Sequence, residues 1–565
     1  MYINGLAKDD LTYDAIVVGS GISGGWSAKE LTENGLNTLV LERGRNVEHI
    51  KDYPTSMLDP WELPANDDIP HPDRQHYEKQ LRTGYTIKES TKHWWVKDTD
   101  QPYEEIERFD WIRGYHVGGR SIMWGRFSLR LSQMDFEANA VDGYGVDWPI
   151  RYEDIEPWYT HVEKFAGISG KSEGLSQLPD SHFLPPMELS CVELELQKSM
   201  KQKFGRVLTN PRMANLTQPL NGRGQCMTRN LCMRGCPLGA YFSSNAVTLP
   251  AAAATGRLTI RPHSIVHSLE YNESTGKVSG VHIIDELTGE MKTFHSKIVF
   301  LNASAIASAM ILLNSRSNRF PNGLGNDSDQ VGRNVMDHHL QIGANGTIEG
   351  FEDQYDWGRR PQGFYIPRYR NVGKDKREYV RGFGYQGGSG RQGWHRAIAE
   401  AAIGSDLKQI AATPGPWSVG MMAFGEMLPH EDNRIFLNFE KLDKWGLPTA
   451  VFDVKFRDNE YKMRVDMMND AAEMIEAMGA KNVSMYDNKG APGLGIHEMG
   501  TARMGRDPKT SVLNKWNQIH NVPNVFITDG ACMTSSACQN PSLTYMALSA
   551  RAANYAADLV KKGDI

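Results

Sequence analysis

Apolar and polar positions follow their clearest pattern at the two ends of the chain. Tyr13 to Val18 form a short apolar run that stops at Gly19 and is followed by Ser20, Gly21, Ile22, Ser23 and Gly24. A run of this length punctuated by glycine predicts a strand, a tight turn and a helix. The helix is expected to stop at Asn34-Gly35, and a second strand, Asn37 to Leu41, to end on Glu42. Near the carboxyl end the apolar strand Val525-Phe526-Ile527 precedes a helical pattern through Leu543, Met546, Ala547 and Ala550, continuing to Val560. Pro541 suits the first turn of that helix, with Asn540 at or beside its cap.

The amino-terminal unit is a GxGxxG turn in the context that gives the motif meaning. Gly19 permits the turn, Gly21 lets a pyrophosphate approach the backbone, and Gly24 lets the helix pack on the strand. Glu42 stands where an acid would accept hydrogen bonds from an adenosine ribose. Strand, helix, second strand and terminal acid predict a dinucleotide site, suited to NAD or FAD alike.

Composition narrows the class. A chain of 565 residues exceeds what one hydrophobic core usually supports, so two domains, or one with a large insertion, are expected. With 40% hydrophobic residues, 23% charged and a net charge of -6, there is no basic surplus to hold a phosphate backbone, which argues against nucleic acid as a partner. No stretch of about 18 consecutive apolar residues occurs, so no membrane span is expected. The first residues lack a charged segment followed by an apolar one, and they lack a twin-arginine pair, so export would depend on a partner.

The chemistry is expected at the carboxyl end. His497 lies in the glycine-punctuated loop Gly495 to Gly505, and the segment Cys538-Gln539-Asn540-Pro541-Ser542 leads into the last helix. The positive end of that helix would favour an anion, such as the charge that develops on a reduced flavin. His497 and Asn540 would then share one alcohol oxygen.

With these motifs the sequence resembles the glucose-methanol-choline (GMC) oxidoreductase family over nearly its whole length. Gly118-Gly119-Arg120-Ser121-Ile122-Met123-Trp124-Gly125 resembles the family's flavin-contacting segment. Asn302-Ala303-Ser304-Ala305-Ile306 with Leu312-Leu313 resembles a second signature, and Val331 to His338 another recurring segment. The resemblance implies an α/β fold in which a Rossmann-like FAD-binding domain is interleaved with a mainly antiparallel substrate-binding domain. The first is expected over 1–50, 105–150, 240–340 and 490–565, the second over 151–220 and 341–489.

It also implies roles. Gly19, Gly21, Gly24 and Glu42 would hold the ADP half of FAD, Gly118, Gly119 and Ser121 the flavin, and Asp529 the pyrophosphate or ribityl chain. His497 would be the base, and Asn540 would hydrogen-bond the substrate hydroxyl. Met123 stands where some relatives carry a histidine bonded to the flavin, so noncovalent FAD is expected. The tandem His338 and His339 are expected to pack rather than to catalyse or bind metal.

A loop at 221–239 presents Cys226, Cys232 and Cys236 at spacings of six and four, with Pro237 after the last. Three thiolates on one loop suit an iron-sulfur cluster, with Arg223, Arg229 and Arg234 available to offset its charge; zinc completed by a histidine, or an inert trio, also fits the residues. The spacing resembles that of cytochrome-linked bacterial sugar dehydrogenases of the family, which implies a three-iron cluster and a dehydrogenase. Such relatives imply further partners: a small subunit bearing the export signal and a cytochrome c-type acceptor, hence the periplasm, or the cytoplasm if no such partner exists. The implied substrate is a sugar or glycoside, with oxidation of a glucoside at C3 favoured over gluconate at C2. An oxygen-using alcohol oxidase and a non-redox FAD lyase are the alternatives. Trp357, Tyr365, Tyr385, Trp394, His395 and Trp417 are available to stack on sugar faces, although aromatic residues equally form core. Cys191, Cys532 and Cys538 stand apart and are assigned no role; Cys532 and Cys538, which flank the stretch before the last helix, are read as buried.

Overall fold

The computed structural model describes residues 12–355, 358, 360–393 and 403–565. In chain order its strands are β1 (Thr12–Val18), β2 (Thr38–Leu41), β3 (Glu104–Glu105), β4 (Leu258–Arg261), β5 (Ser264–Asn272), β6 (Lys277–Asp285), β7 (Met291–Leu301) and β8 (His338–Ile348). There follow β9 (Phe364–Ile366), β10 (Phe383–Arg391), β11 (Trp417–Glu426), β12 (Arg434–Leu442), β13 (Pro448–Asp453), β14 (Lys481–Asp487), β15 (Gln518–Ile519) and β16 (Val522–Phe526).

The largest sheet runs β15-β16-β7-β1-β2-β4, with β6 pairing β7 and β5 pairing β6. Its centre is parallel: β1 lies between β7 and β2, and β2 carries β4 outside it. Strands buried on both faces read as continuous apolar runs, which is why Ala15 to Val18 and Thr38 to Leu41 were legible as strands. The helix Ile22–Glu33 ends at Asn34, and Gly35 follows with φ 91°, a left-handed conformation that glycine adopts without strain. The last helix, Ser542–Lys562, packs on Ile22–Glu33 and on the helix Tyr152–Ala166.

A second sheet, β14-β8-β11-β10-β9, pairs antiparallel throughout and is covered by the helix Asp458–Ala477. Met463, Met467, Met474 and Ile475 of that helix enter a core with Ile342, Tyr385, Trp417 and Met421. A small third sheet joins β12, β13 and β3. The expected segment 151–220 is shared between the two large cores. Ile155, Tyr159 and Val162 join the core around the parallel sheet, whereas Val192, Leu196 and Met200 join that of the antiparallel one.

The two halves are stitched along 332–338. Met336 and Met499 exchange backbone hydrogen bonds, Gly332 N–H donates to the Thr501 carbonyl, and Ile435 N–H donates to the Gly332 carbonyl. Asp337 and His338 therefore sit where β8 leaves this seam. Among the described residues, no helix is long and apolar enough to cross a membrane.

The close packing at the glycine turn differs sharply between its glycines. A Cβ on Gly24 would lie 1.9 Å from the Gly19 carbonyl oxygen, whereas one on Gly21 would meet nothing within 4 Å. Gly24→Ala is expected to destabilise the protein by at least about 1–3 kcal/mol in thermal unfolding without cofactor, and Gly21→Ala by less than about 1 kcal/mol. Equal losses from both would contradict this packing.

Candidate active site

One cavity of about 600 Å³ runs from Glu42 and Arg43 at one end to His497 and Asn540 at the other. That volume lies within the roughly 300–1,000 Å³ usual for ligand pockets. It opens at the turn after β1, where Gly19 has φ 92° and its Cα lies against the Asn302 carbonyl. The helix Ile22–Glu33 begins there with no side chain capping it, so its first N–H groups face the open space beside Gly21.

Hydrogen bonds tie the expected cofactor residues together. Ser20 N–H and Oγ–H donate to Glu42 Oε2 at 3.1 and 2.5 Å, and Gly118 N–H donates to Ser20 Oγ at 2.9 Å. Gly44 N–H holds the other oxygen of Glu42 at 3.1 Å. Burial pushes the Glu42 carboxyl up while these donors oppose the shift. Ser121 Oγ–H donates to the Gly118 carbonyl and accepts from Ser244 N–H. Asp529 accepts from Ser308 Oγ at 2.6 Å and Ala531 N–H at 2.9 Å. Gly19, Gly21, Glu42, Gly119, Ser121 and Asp529 line the cavity. Gly24 packs beneath it, and Gly118 packs against Asn245.

His497 is held by its backbone. Asp337 accepts Gly495 N–H at 2.9 Å on one carboxylate oxygen and His497 N–H at 3.1 Å on the other. The intervening chain is strained, since Ile496 has φ 57°, an unfavourable conformation for a β-branched residue. A side chain at 495 would collide with Asp337, since a Cβ would lie 2.4 Å from its carboxylate. His497 Nδ1 lies 2.8 Å from His338 Nδ1, the rings meeting edge to face. Burial, His338 and Arg120 push His497 well below its ordinary 6.5, so it is a neutral base at neutral pH. Across the cavity Gln386 Nε2–H donates to Asn540 Oδ1 at 2.6 Å, which leaves the Asn540 amide N–H groups as its donors toward the cavity. The last helix starts at Ser542 with Pro541 as its cap, one residue later than the sequence implies.

Several residues here escaped the sequence reading. His338, expected only to pack, bonds His497 instead; His339, its neighbour on β8, does pack, against Phe456. Gln386, Asp337 and the Arg120–Glu498 pair, with contacts of 3.1 and 2.8 Å, carried no signal beyond their segments. Of the aromatic residues considered for sugar stacking, Tyr365, Tyr385 and Trp417 are buried core away from the cavity; Trp357, Trp394 and His395 lie outside the described residues. The aromatic lining comes largely from elsewhere: Tyr85, Trp95, Trp111, Trp124 and Phe127, with Phe424 from β11.

Cys226, Cys232 and Cys236 line one small second cavity with Arg229 and Tyr241. Among the described residues, no group of three or more His, Cys, Asp or Glu is placed to hold a metal ion. Burial raises the Cys226 thiol, with further upward contributions from Cys232 and Cys236. The loop coils through left-handed residues at Gly222, Thr228, Asn230 and Gly235. Its arginines also fasten the loop. Arg223, Arg229 and Arg234 donate to the carbonyls of Ala166, Ser56 and Leu58, and the cation that lowers the Cys226 thiol is Arg126. Met233, beside Cys232, lines the main cavity, so the cysteine loop abuts it directly.

At the opposite end Leu437, Leu447 and Pro448, from β12, β13 and their turn, roof the cavity, and Arg43 pairs with Asp443 of that turn at 3.5 Å. Around the cavity Arg43 Nε, Trp95 Nε1, His267 Nε2 and Tyr545 Oη are buried without hydrogen-bond partners. Buried polar atoms are rarely left so, and their distribution along the whole length fits a long polar ligand.

A cradle of this shape, with a dinucleotide turn at one end and a histidine facing an amide at the other, is that of an FAD-dependent oxidoreductase acting on CH–OH groups. The chain belongs to the GMC oxidoreductase family: residues 13–340 match its amino-terminal part and 429–549 its carboxyl-terminal part. It is 28% identical to 2-methyl-1,2-propanediol dehydrogenase of Mycolicibacterium austroafricanum, over 96% of this chain and 94% of that protein. It is 26% identical to the fructose dehydrogenase large subunit of Gluconobacter japonicus, over 99% of this chain and all of that one. Among solved structures it shares its fold with a formate oxidase, at a TM-score of 0.63 and 13% identity, over 99% of this chain and all of that one.

Burial, reinforced by Glu498, pushes Asp337 from 3.8 up to about 7. Because its folded pKa is the higher one, its contribution to stability is complete below 3.8 and is lost as pH rises through about 7. Asp337→Asn cannot titrate. The difference in Tm, variant minus wild type, is therefore expected to rise between about pH 4 and 7 in paired calorimetry. A difference independent of pH would remove Asp337 as the titrating group.

Proposed function

We propose that this chain is the catalytic flavoprotein of a sugar dehydrogenase that oxidises a secondary or anomeric hydroxyl of a sugar or glycoside, most readily a glucoside at C3. The observation that carries this reading is the neutral His497 facing Asn540 across a cavity that the cysteine loop abuts through Met233. Noncovalent FAD along the cavity would supply the hydride acceptor, and an iron-sulfur cluster, with Cys226, Cys232 and Cys236 as its ligands, would supply a one-electron outlet to a cytochrome c-type acceptor.

The chain's own residues do the rest. Asn540 donates an amide hydrogen to the substrate oxygen, its other end fixed by Gln386. His497 takes the hydroxyl proton as the carbinol carbon gives up its hydride, leaving a ketone or lactone. The apolar part of the lining lowers the local dielectric in which these few dipoles act. Arg126 lies on both the main cavity and the Cys226 side, a fixed positive charge on the electron path. What supports a cluster in this reading is that the three thiols line one small cavity beside the main one. The same reading places the protein in the periplasm, exported with a small signal-bearing subunit.

Anaerobically purified protein is expected to contain iron and acid-labile sulfide with its FAD and no zinc. Methyl glucoside is expected to bleach the flavin faster than glucose, fructose or gluconate. Cys232→Ala is expected to lose iron and cytochrome c reduction but keep the bleaching. Zinc, or FAD alone, would overturn the cluster; fastest bleaching by gluconate would replace the substrate; rapid reoxidation by oxygen would make the protein an oxidase. Absence of bleaching by any of the four would return the lyase reading.

His497→Ala is expected to slow flavin reduction by about 10²–10⁴-fold in anaerobic stopped-flow, with FAD content unchanged. Because His497 sits well below 6.5, the wild-type rate should stay level from about pH 8 down past 6.5 and fall only at lower pH as the base is protonated. An acid limb centred on 6.5 would show an unperturbed histidine.

A further inference from the structure

His338 does not line the cavity, yet both its ring nitrogens are engaged. Nε2 lies 2.8 Å from the carbonyl oxygen of Ala537, a group that can only accept, so Nε2 carries a hydrogen. The ring is fully buried and uncharged at neutral pH, and it carries one hydrogen only. Its Nδ1 is therefore an acceptor. The contact of 2.8 Å between the two Nδ1 atoms then requires His497 to donate from Nδ1. A neutral His497 that donates from Nδ1 has its lone pair on Nε2, the nitrogen left for the cavity.

We propose that His338 is a positioning residue that fixes the tautomer of His497, so that Nε2 is the proton-accepting atom. The inference rests on the reading of His497 as the base. The carbonyl that anchors this chain belongs to Ala537, whose φ of 54° is uncommon for a residue with a side chain, and three residues later the same segment supplies Asn540. One loop thus presents the amide to the substrate and, through His338, selects the nitrogen of the histidine opposite.

The proton balance follows. On taking the alcohol proton at Nε2, His497 becomes a cation that keeps its Nδ1 hydrogen bonded to His338. His338 has no onward route, because the carbonyl beyond it accepts a hydrogen bond but not a proton. The proton therefore stays on His497 and departs through the cavity. A neutral imidazole in this place, unlike a carboxylate, orients the base without raising its basicity strongly, which agrees with a base that stays unprotonated over a wide range of pH.

The test separates polarity from packing. His338→Gln offers an amide oxygen to accept from His497 and an amide N–H to donate to Ala537, and it cannot titrate; His338→Leu has comparable bulk and neither group. With the four sugars named above as hydride donors, His338→Leu is expected to slow flavin reduction on the order of 100-fold with the apparent Kd for the donor unchanged, and His338→Gln to restore the rate to within about tenfold of wild type. Should the leucine variant lose FAD, His338→Ala is expected to regain its rate with added imidazole and not with added toluene. A leucine variant as fast as wild type, or a glutamine variant as slow as the leucine one, overturns the proposal, as does an alanine variant that imidazole leaves slow. Wild-type rates from His497→Ala, or a wild-type protein that no donor bleaches, would remove the base itself and the proposal with it.

Discussion

The catalytic end of the molecule depends on one buried carboxylate. Asp337 precedes β8, beside the segment that exchanges backbone hydrogen bonds with the 499–501 loop, and each of its oxygens holds one N–H of the loop that carries His497. A loop pinned at two backbone points can sustain the left-handed Ile496 between them, a conformation that would otherwise relax. The cost appears in Asp337 itself, whose ionisation is opposed by burial and by Glu498. Glu498 is in turn neutralised by Arg120, which lies on the cavity wall. Position at the site is thus maintained by electrostatic groups that are individually uncomfortable and mutually compensating.

What was legible in the sequence was local. β1, its turn and the following helix could be read because a doubly buried strand is a continuous apolar run and because glycine marks the turn. His497 and Asn540 were legible as motif positions, since each sits in a recognisable loop. His338 and Gln386 were not, because their meaning lies in contacts across 159 and 154 residues. One clue was available and unused. On a strand, neighbours point to opposite faces, so two adjacent histidines cannot share a fate: His339 turns into the apolar core against Phe456 and His338 turns to His497. The same parity separates buried Tyr385 from cavity-lining Gln386, whereas most of the cavity's aromatic lining comes from Tyr85, Trp95, Trp111, Trp124 and Phe127 in the amino-terminal half.

The cysteine loop teaches a related lesson about charge. The three arginines of the loop each donate to a carbonyl that fastens it to the segment around 56–58 or to Ala166, and Arg229 also lines the cavity of the thiols. A further positive charge reaches Cys226 from Arg126, a hundred residues earlier in the chain, and the bridge to the main cavity is the uncharged Met233. Proximity in sequence shows which groups share a loop; only the fold shows which way they face.

The roof over the far end of the cavity has a consequence for the order in which the molecule is made. The glycine turn and Glu42 are complete within the first tenth of the chain, but Leu437, Leu447, Pro448 and the Asp443 partner of Arg43 emerge from the ribosome only after some four hundred further residues. With β7 beside β1 and the last helix against Ile22–Glu33 also arriving late, the nucleotide-binding end thus remains open during most of synthesis. Its closure is a late event that coincides with arrival of the loops bearing His497 and Asn540, so enclosure of the cavity and completion of its reactive end belong to the same stage of biosynthesis.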